Sequence, residues 1–380
     1  MISNNTLDNK QKLGQFYTTN QNYILQNLYI PNNIDNIIEP FAGNGDLVNF
    51  INEQCKITNK LYNIECYDIE PKKDYIKLQD TLSNPPDYNN KFLITNPPYL
   101  ARNKSVDKKL FDKYNVNDLY KCLIKEIIIN QCLGGILIIP LNFWCSIRNM
   151  DIELRKSFLH IYNIITLNIF EETVFDDTSY SICSFQFSNK NINNIDNIIN
   201  IDNIDHIDNI NNINNTNNTN NYHEIKITIF PKSKKINLIL NAQNNYTFGG
   251  EIYNLPNKNI YHVTRVTSKN KKLLNTNILV KCIDDNEHNK INLSIVSNDK
   301  LYIDETKNLS SRTYASLIII PILTLDEQKI LVNKFNIFLN EMREKYNSLF
   351  LTNYRESNKI ARKRISFELV YQIIQYILEN

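Results

Sequence analysis

Ile37-Ile38-Glu39-Pro40-Phe41-Ala42-Gly43-Asn44-Gly45-Asp46-Leu47-Val48 is the stretch that decides how this chain folds. Two β-branched residues run into a turn with two glycines, and an acid then opens a new apolar run. The pattern predicts a short strand, a glycine turn and a helix starting near Asp46. Gly43 and Gly45 are two of only seven glycines in 380 residues. Glycine is what a backbone uses to come close to a ligand. The pattern is not Gly-x-Gly-x-x-Gly and no Gly-Lys-Ser/Thr follows, so a pyrophosphate cradle fits poorly.

Outward from this turn, Leu61-Tyr62-Asn63-Ile64-Glu65-Cys66-Tyr67 reads as a second strand ending at Asp68-Ile69-Glu70-Pro71. An acid at the tip of the second strand is what a doubly wound sheet uses to grip ribose hydroxyls. Asp80 follows at the next crossover and is suited to accept from an adenine amino group. A further apolar run, Phe92-Leu93-Ile94-Thr95, ends in Asn96-Pro97-Pro98-Tyr99. An asparagine side-chain oxygen and a proline-held carbonyl can each accept one N–H of a planar amino group, freeing its lone pair toward an electrophile. The prolines preset the chain, and the tyrosine can stack on a flat substrate. Ser83-Asn84-Pro85-Pro86-Asp87 is a near-copy with no apolar strand before it and an acid in place of the aromatic, and it reads as a loop.

Residues 12–188 alternate strand and helix as a mainly parallel sheet requires. Leu119–Cys132 reads as a helix, Ile136–Pro140 as a buried strand, and Ile164–Phe170 and Ser181–Phe187 as paired strands at the sheet edge with Phe175 between them. Residues 189–221 are nearly pure Asn, Ile and Asp, a composition that reads as a disordered insert and an inert linker between domains. From His223 a β-rich module follows, with Glu224–Phe230 alternating, and the segment Pro321–Lys329 opens a long amphipathic helix. The tail gathers Arg343, Lys345, Arg355, Lys359, Arg362, Lys363 and Arg364, interleaved with Tyr346, Phe350, Tyr354 and Phe367. Such a run is either a solvated helix face or a phosphate-gripping surface.

Composition narrows the classes. Lys and Arg number 42 against 40 Asp and Glu, so any nucleic-acid contact must come from uneven placement. Seven cysteines without Cys-x-x-Cys pairing and five scattered histidines point to reduced intracellular thiols and no metal site. The polar start, Met1–Lys12, reads as no signal peptide, and the longest apolar stretch, Gly134–Leu141, is too short to span a bilayer. The abundance of Asn, Ile and Lys looks like the coding bias of an AT-rich microbe or large DNA virus.

The order glycine turn, acid, acid, Asn-Pro-Pro-Tyr resembles the S-adenosylmethionine-dependent amino-methyltransferases, most closely the DNA adenine-N6 methyltransferases of restriction–modification systems. Gly14-Gln15-Phe16-Tyr17-Thr18-Thr19 looks like that family's cofactor-clamping segment, in the gamma order of motifs. Val174-Phe175-Asp176-Asp177-Thr178-Ser179-Tyr180 resembles the late motif whose aromatic stacks on the target base. The resemblance is strong in the first half of the chain and looser in the second. It implies an α/β, Rossmann-like doubly wound methyltransferase domain over 1–188, a linker over 189–221, and a mixed α+β DNA-recognition domain with a basic helical tail over 222–380.

By resemblance the cofactor is held by Tyr17, Thr18, Glu39, Pro40, Ala42, Gly43, Gly45, Asp68, Ile69, Asp80 and Asn96. Asn96, Pro97, Pro98, Tyr99 and Phe175 act on a flipped adenine, with Tyr99 and Phe175 sandwiching the base. Arg102, Lys104, Arg362, Lys363 and Arg364 contact double-stranded DNA, with room for a separate restriction endonuclease as partner and no membrane. Two alternatives stay open: methylation of an RNA base or a protein glutamine, and a non-catalytic DNA-specificity protein.

Overall fold

A computed structural model describes residues 18, 20–175, 180–191, 222–285, 288, 290–301, 313–354 and 362–380. Tyr17 and the rest of the clamp segment apart from Thr18, the stretch Asp176–Ser179, and residues 192–221 lie outside the described residues. The chain divides into two compact units, Met1–Phe143 with Arg148–Asn241, and Trp144–Ile147 with Ala242–Asn380.

The first unit is built on one nine-stranded sheet. Its strands are β1 (Asn36–Glu39), β2 (Asn63–Asp68), β3 (Ile76–Leu78), β4 (Phe92–Thr95), β5 (Gly134–Pro140), β6 (Tyr162–Phe170), β7 (Ile182–Asn189), β8 (His223–Phe230) and β9 (Lys234–Leu240). The spatial order is β3-β2-β1-β4-β5-β7-β6-β8-β9. Strands β3, β2, β1, β4 and β5 are mutually parallel, whereas β7 runs antiparallel to both of its neighbours. The order reverses at the β1–β4 pair, which makes this a doubly wound α/β sheet. Right-handed crossovers that leave in opposite directions put helices on opposite faces. Accordingly β4 and β5 bury every residue instead of alternating.

The helices of this unit are α1 (Gln21–Ile24), α2 (Asp46–Thr58), α3 (Lys109–Tyr114), α4 (Leu119–Ile129) and α6 (Asn149–Ile161), with the short α5 (Asn142–Cys145) at the unit boundary. Gly45 caps α2 with φ +80°, and a Cβ there would lie 2.2 Å from the Tyr75 hydroxyl oxygen. The left-handed φ favours glycine, and a Cβ there would also displace the Tyr75 hydroxyl.

Two expectations about this region change. The β6–β7 pair does not end the sheet, because β8 joins β6 in parallel and β9 completes the sheet. The alternating Glu224–Phe230 segment therefore belongs to the first unit, and the Asn-rich run connects two strands of one sheet. The boundary falls at Asn241–Ala242 rather than at 188 and 222. The physical reason is that β6 needs a partner on its second edge, which a nine-residue strand left open would expose.

The second unit carries a four-stranded antiparallel sheet of β10 (His262–Arg265), β11 (Ile278–Lys281), β12 (Asn292–Ile295) and β13 (Tyr314–Ile320), in the order β10-β13-β11-β12. Helix α7 (Leu325–Lys345) opens with a capping box in which Thr324 and Glu327 satisfy each other's backbone N–H. Its buried Leu331, Phe335 and Leu339 recur every four residues along one face. Trp144 belongs here because its ring stacks on Phe248 with centroids 5.7 Å apart, while Phe248 N donates to the Trp144 carbonyl at 3.1 Å.

The tail also departs from the sequence reading. Arg362–Arg364 is not helical but forms strand β15, paired with β14 (Thr352–Tyr354), and α8 (Phe367–Glu379) follows. Tyr346, Phe350 and Phe367 are buried, so these aromatics pack the unit's core instead of interleaving with exposed bases. Arg343 is held bidentate by Asp284 at 2.7 and 3.0 Å with both side chains largely out of solvent. Hydrophobic burial decides the fate of these side chains, and charge counting along the sequence does not see it.

Candidate active site

The carboxyl ends of β1 and β4 meet where the sheet reverses direction, the position at which open α/β sheets bind ligands. Glu39 ends β1 and Thr95 ends β4, and the Thr95 hydroxyl donates to Glu39 Oε1 at 2.7 Å. Glu39 is fully buried, and its Oε2 has no hydrogen-bond partner among the described residues. Burial pushes its carboxyl up to about 8. The Thr95 hydroxyl and the Phe41 backbone N–H pull the other way, while the charges of Asp68 and Asp46 raise it further.

The glycine turn is stitched to the tip of β2. Ala42 N donates to the Tyr67 carbonyl at 2.8 Å, and Gly43 N donates to Asp68 Oδ2 at 2.8 Å. The other Asp68 oxygen accepts from Glu70 N at 2.8 Å. Each carboxylate oxygen retains a second lone pair for a ligand hydroxyl. Asp80 Oδ1 accepts from Leu82 N and Ser83 N at 3.2 and 3.1 Å, and the residue is exposed.

These elements enclose a cleft with about 960 Å³ of empty space, its open mouth included. Of the residues singled out from the sequence, Thr18, Ala42, Gly43, Asp68, Ile69, Asp80, Asn96 and Pro98 line it. Pro40 sits behind the lining, its carbonyl accepting from the Thr81 hydroxyl at 2.9 Å. Gly45 faces a neighbouring hollow, and Pro97 is buried outside the lining. The reading of the sequence gave no site role to Phe41, Asp46, Leu47, Gln79, Thr81, Leu82, Leu110 and Leu119, which also line the cleft. Leu110 and Leu119 are ordinary helix residues in sequence, and only the packing of α3 and α4 brings them to the cleft.

Asn96 is nearly buried directly after β4. Its Nδ2 donates to the Thr18 hydroxyl at 3.1 Å, and its Oδ1 accepts from the Tyr99 hydroxyl. That hydroxyl also lies 2.7 Å from the Ile138 carbonyl oxygen. Tyr99 is only 2 % exposed, with its ring edge-on to Tyr120 and to Tyr180 at 6.1 Å. Tyr99 is thus not an open stacking platform in this structure, because its polar end is satisfied inside the protein and aromatic neighbours flank it. Phe175 is also buried. Tyr180, quoted in the late motif but given no role from sequence, is the aromatic of that motif whose ring meets Tyr99.

Arg102 and Lys104 lie on a single 3₁₀ turn after the Asn96 loop. Arg102 pairs with Asp112 at 2.5 Å in a solvent-exposed ion pair, and Lys104 is exposed. In the second unit Arg364 is half-buried. Its Nε is buried without a hydrogen-bond partner among the described residues.

No protein-family model matches this chain, and no curated protein sequence matches it. Among solved structures it is similar to a modification subunit of a type I restriction enzyme from Vibrio vulnificus, at 13% identity and a TM-score of 0.38. It is also similar to a type I restriction–modification methyltransferase subunit from Streptococcus thermophilus, at 13% identity and a TM-score of 0.38. A third likeness is to a protein described as a class I S-adenosylmethionine-dependent methyltransferase from Listeria monocytogenes, at 13% identity and a TM-score of 0.34. These matches cover 46%, 57% and 44% of this chain and 45%, 48% and 56% of the respective structures. The chain thus spans about half the length of the structures it resembles.

Proposed function

We propose that this chain is a DNA methyltransferase that moves a methyl group from S-adenosylmethionine to the N6 of an adenine flipped out of the duplex. The observation that carries the reading is that Asn96 and Pro98 share one cleft with Gly43, Asp68 and Asp80 at the sheet's reversal point. An amine-binding group and a nucleoside-binding set of acids then face the same space.

The cleft's charge supports the cofactor. Asp46, Asp68 and Asp80 line it, and none of its described lining residues is Lys or Arg. S-adenosylmethionine carries a sulfonium and an ammonium against one carboxylate, so an acidic cleft attracts it, whereas a polyphosphate would be repelled. Phe41, Leu47, Ile69 and Leu82 offer an apolar bed for its adenine ring. Asp68 would take the ribose hydroxyls through its remaining lone pairs, and Asp80 the adenine amino group. Oε2 of Glu39, without a hydrogen-bond partner among the described residues, lies at the end of β1, and a nearby positive charge would favour its ionised form.

The bound cofactor supplies an electrophilic methyl group. The chain's part is to hold the acceptor: Asn96 Oδ1 accepts one N–H of the target amine and the Pro97 carbonyl the other, which frees the nitrogen lone pair. For this the Tyr99 hydroxyl must release Asn96 Oδ1 and keep only the Ile138 carbonyl, and Tyr180 must swing from the Tyr99 ring to admit the base. The two prolines stiffen the backbone that carries both acceptors.

The test is to incubate the purified chain with S-adenosylmethionine and unmethylated duplex DNA and digest the product for nucleoside mass spectrometry. N6-methyladenine is the expected product. Methyl transfer to RNA or to protein glutamine with none to DNA would replace this reading.

A further inference from the structure

The segment after Asn96 is fixed by a carboxylate that has no part in the proposed reaction. Asp118 occupies the N-cap position of α4, where an Asp side chain normally bonds the first-turn N–H groups. Here no first-turn N–H reaches cap hydrogen-bond geometry, although those of Leu119 and Tyr120 lie close enough to favour the charged carboxylate. Its Oδ1 instead accepts from Leu100 N at 3.0 Å, a contact spanning 18 residues of sequence. Around that bond the two segments are laced together. Leu119 N donates to the Leu100 carbonyl at 3.2 Å and Arg102 N to the Asn117 carbonyl at 2.9 Å, with a β-bridge between Ala101 and Asp118. Asp118 is 8 % exposed and does not line the cleft.

We propose that Asp118 is a positioning residue that locks the Asn96–Ala101 loop, and with it the Asn96 carboxamide, onto the start of α4. The proposal rests on Asn96 being the amine-binding residue, although the locking of the loop is measurable without that reading. Ends of the loop are then held on two sides, by β4 before Asn96 and by Asp118 after Tyr99. An untethered loop of this length would sample many geometries, and misplacement by about 1 Å is enough to slow a positioned reaction on the order of a hundredfold.

The groups facing Asp118 make the lock responsive to pH. Lys121 on α4, itself paired with Asp151 of α6 at 2.5 Å, favours the ionised carboxylate. Tyr120 and Cys122 on α4, Tyr99 on the loop and Tyr180 before β7 also lie within its electrostatic reach, and Arg148 acts on Lys121. Burial dominates and pushes the Asp118 carboxyl up to about 6 against the pull of Lys121 and nearby backbone N–H groups. Below that pH the carboxyl is neutral and its hold on Leu100 N weakens.

Hydrogen exchange on the full chain, corrected for the intrinsic pH dependence of exchange, tests this without any activity. In Asp118→Ala the amides of residues 99–102 should exchange roughly tenfold or more faster, with remote peptides unchanged. Asp118→Asn keeps an acceptor and a good N-cap and should retain most of the protection. Wild-type protection of the same amides should fall below about pH 6, and in Asp118→Asn it should not. Should Asp118→Ala not fold, the wild-type and Asp118→Asn pH series carries the test alone. Where methyl transfer is measured, Asp118→Ala should lower kcat and leave the KM for cofactor in place. Unchanged exchange at 99–102, or a uniform rise across the unit, overturns the proposal even if wild-type methylates DNA. A wild-type chain that does not methylate, yet shows the local exchange pattern, overturns only the functional reading.

Discussion

Asn96 and Glu39 show how single residues in this fold are set by burial. Asn96 combines a donor bond to Thr18 with an acceptor bond from Tyr99, so its carboxamide is oriented before any substrate is present. Asn96→Ala should reduce methyl transfer on the order of a hundredfold or more while cofactor affinity measured by calorimetry changes little. The near-copy gives the internal control, and Asn84→Ala should be almost silent. Comparable turnover in the wild type and Asn96→Ala would remove Asn96 from the reaction. Glu39 yields a pH signature. Its folded pKa of about 8 lies above its ordinary value, so the folded state holds this proton more tightly than the unfolded chain. The stability it contributes is complete in acid and is lost as pH rises to about 8, at about 1.4 kcal/mol for each pH unit crossed. Glu39→Gln should therefore resist urea better than wild type at pH 8.5 and behave similarly at pH 5. A difference that does not vary with pH would mean that the carboxyl ionises normally.

At the scale of elements, the β6–β7–β8 arrangement decides what the Asn-rich run has to do. Strand β7 is antiparallel to β6 and β8 is parallel to it, with Tyr162 opposite Asn189. The end of β7 and the start of β8 therefore share one edge of the sheet, two strand spacings apart. That gap is about 10 Å, which four or five extended residues would cross. Replacing residues 192–221 with a short Gly/Ser linker should preserve the fold and its thermal midpoint within a few degrees. Aggregation or loss of the cooperative transition on that replacement would give the run a structural role. The helix opened by Pro321–Lys329 was legible because its apolar spacing lies within one element, and the structure adds the capping box at Thr324 and Glu327. The strand at Arg362–Arg364 was not, since its pairing with Thr352–Tyr354 is a tertiary choice that charge and helix propensity hide.

For the whole molecule, a net charge of +2 means that any DNA grip must be local. Arg343 is tied to Asp284 and Arg364 is half-buried, which weakens the case for the tail. The segment after the Asn96 loop has exposed Lys104, Lys108 and Lys109 close in sequence to the cleft residue Leu110. Changing these three lysines to Ala should weaken binding to all DNA sequences and lower the slope of log affinity against log salt by about 0.9 for each phosphate no longer neutralised. Cofactor affinity should hold. An unaltered slope, with a reduced one in Lys363→Ala, would move the grip to the second unit.

By itself the sequence determined the succession of strand, glycine turn, acids and Asn-Pro-Pro-Tyr, because each depends on residues a few positions apart. Strand ends and the onset of α2 at Asp46 follow from the same short-range rules. Tertiary structure alone decided that β8 and β9 extend the first sheet, that Tyr99 faces inward, and that Tyr346, Phe350 and Phe367 become core. It also brought Thr95 to Glu39 across 56 residues and Leu100 to Asp118 across 18. Those outcomes depend on which groups lose water together, and desolvation is a property of the packed chain that no local pattern records.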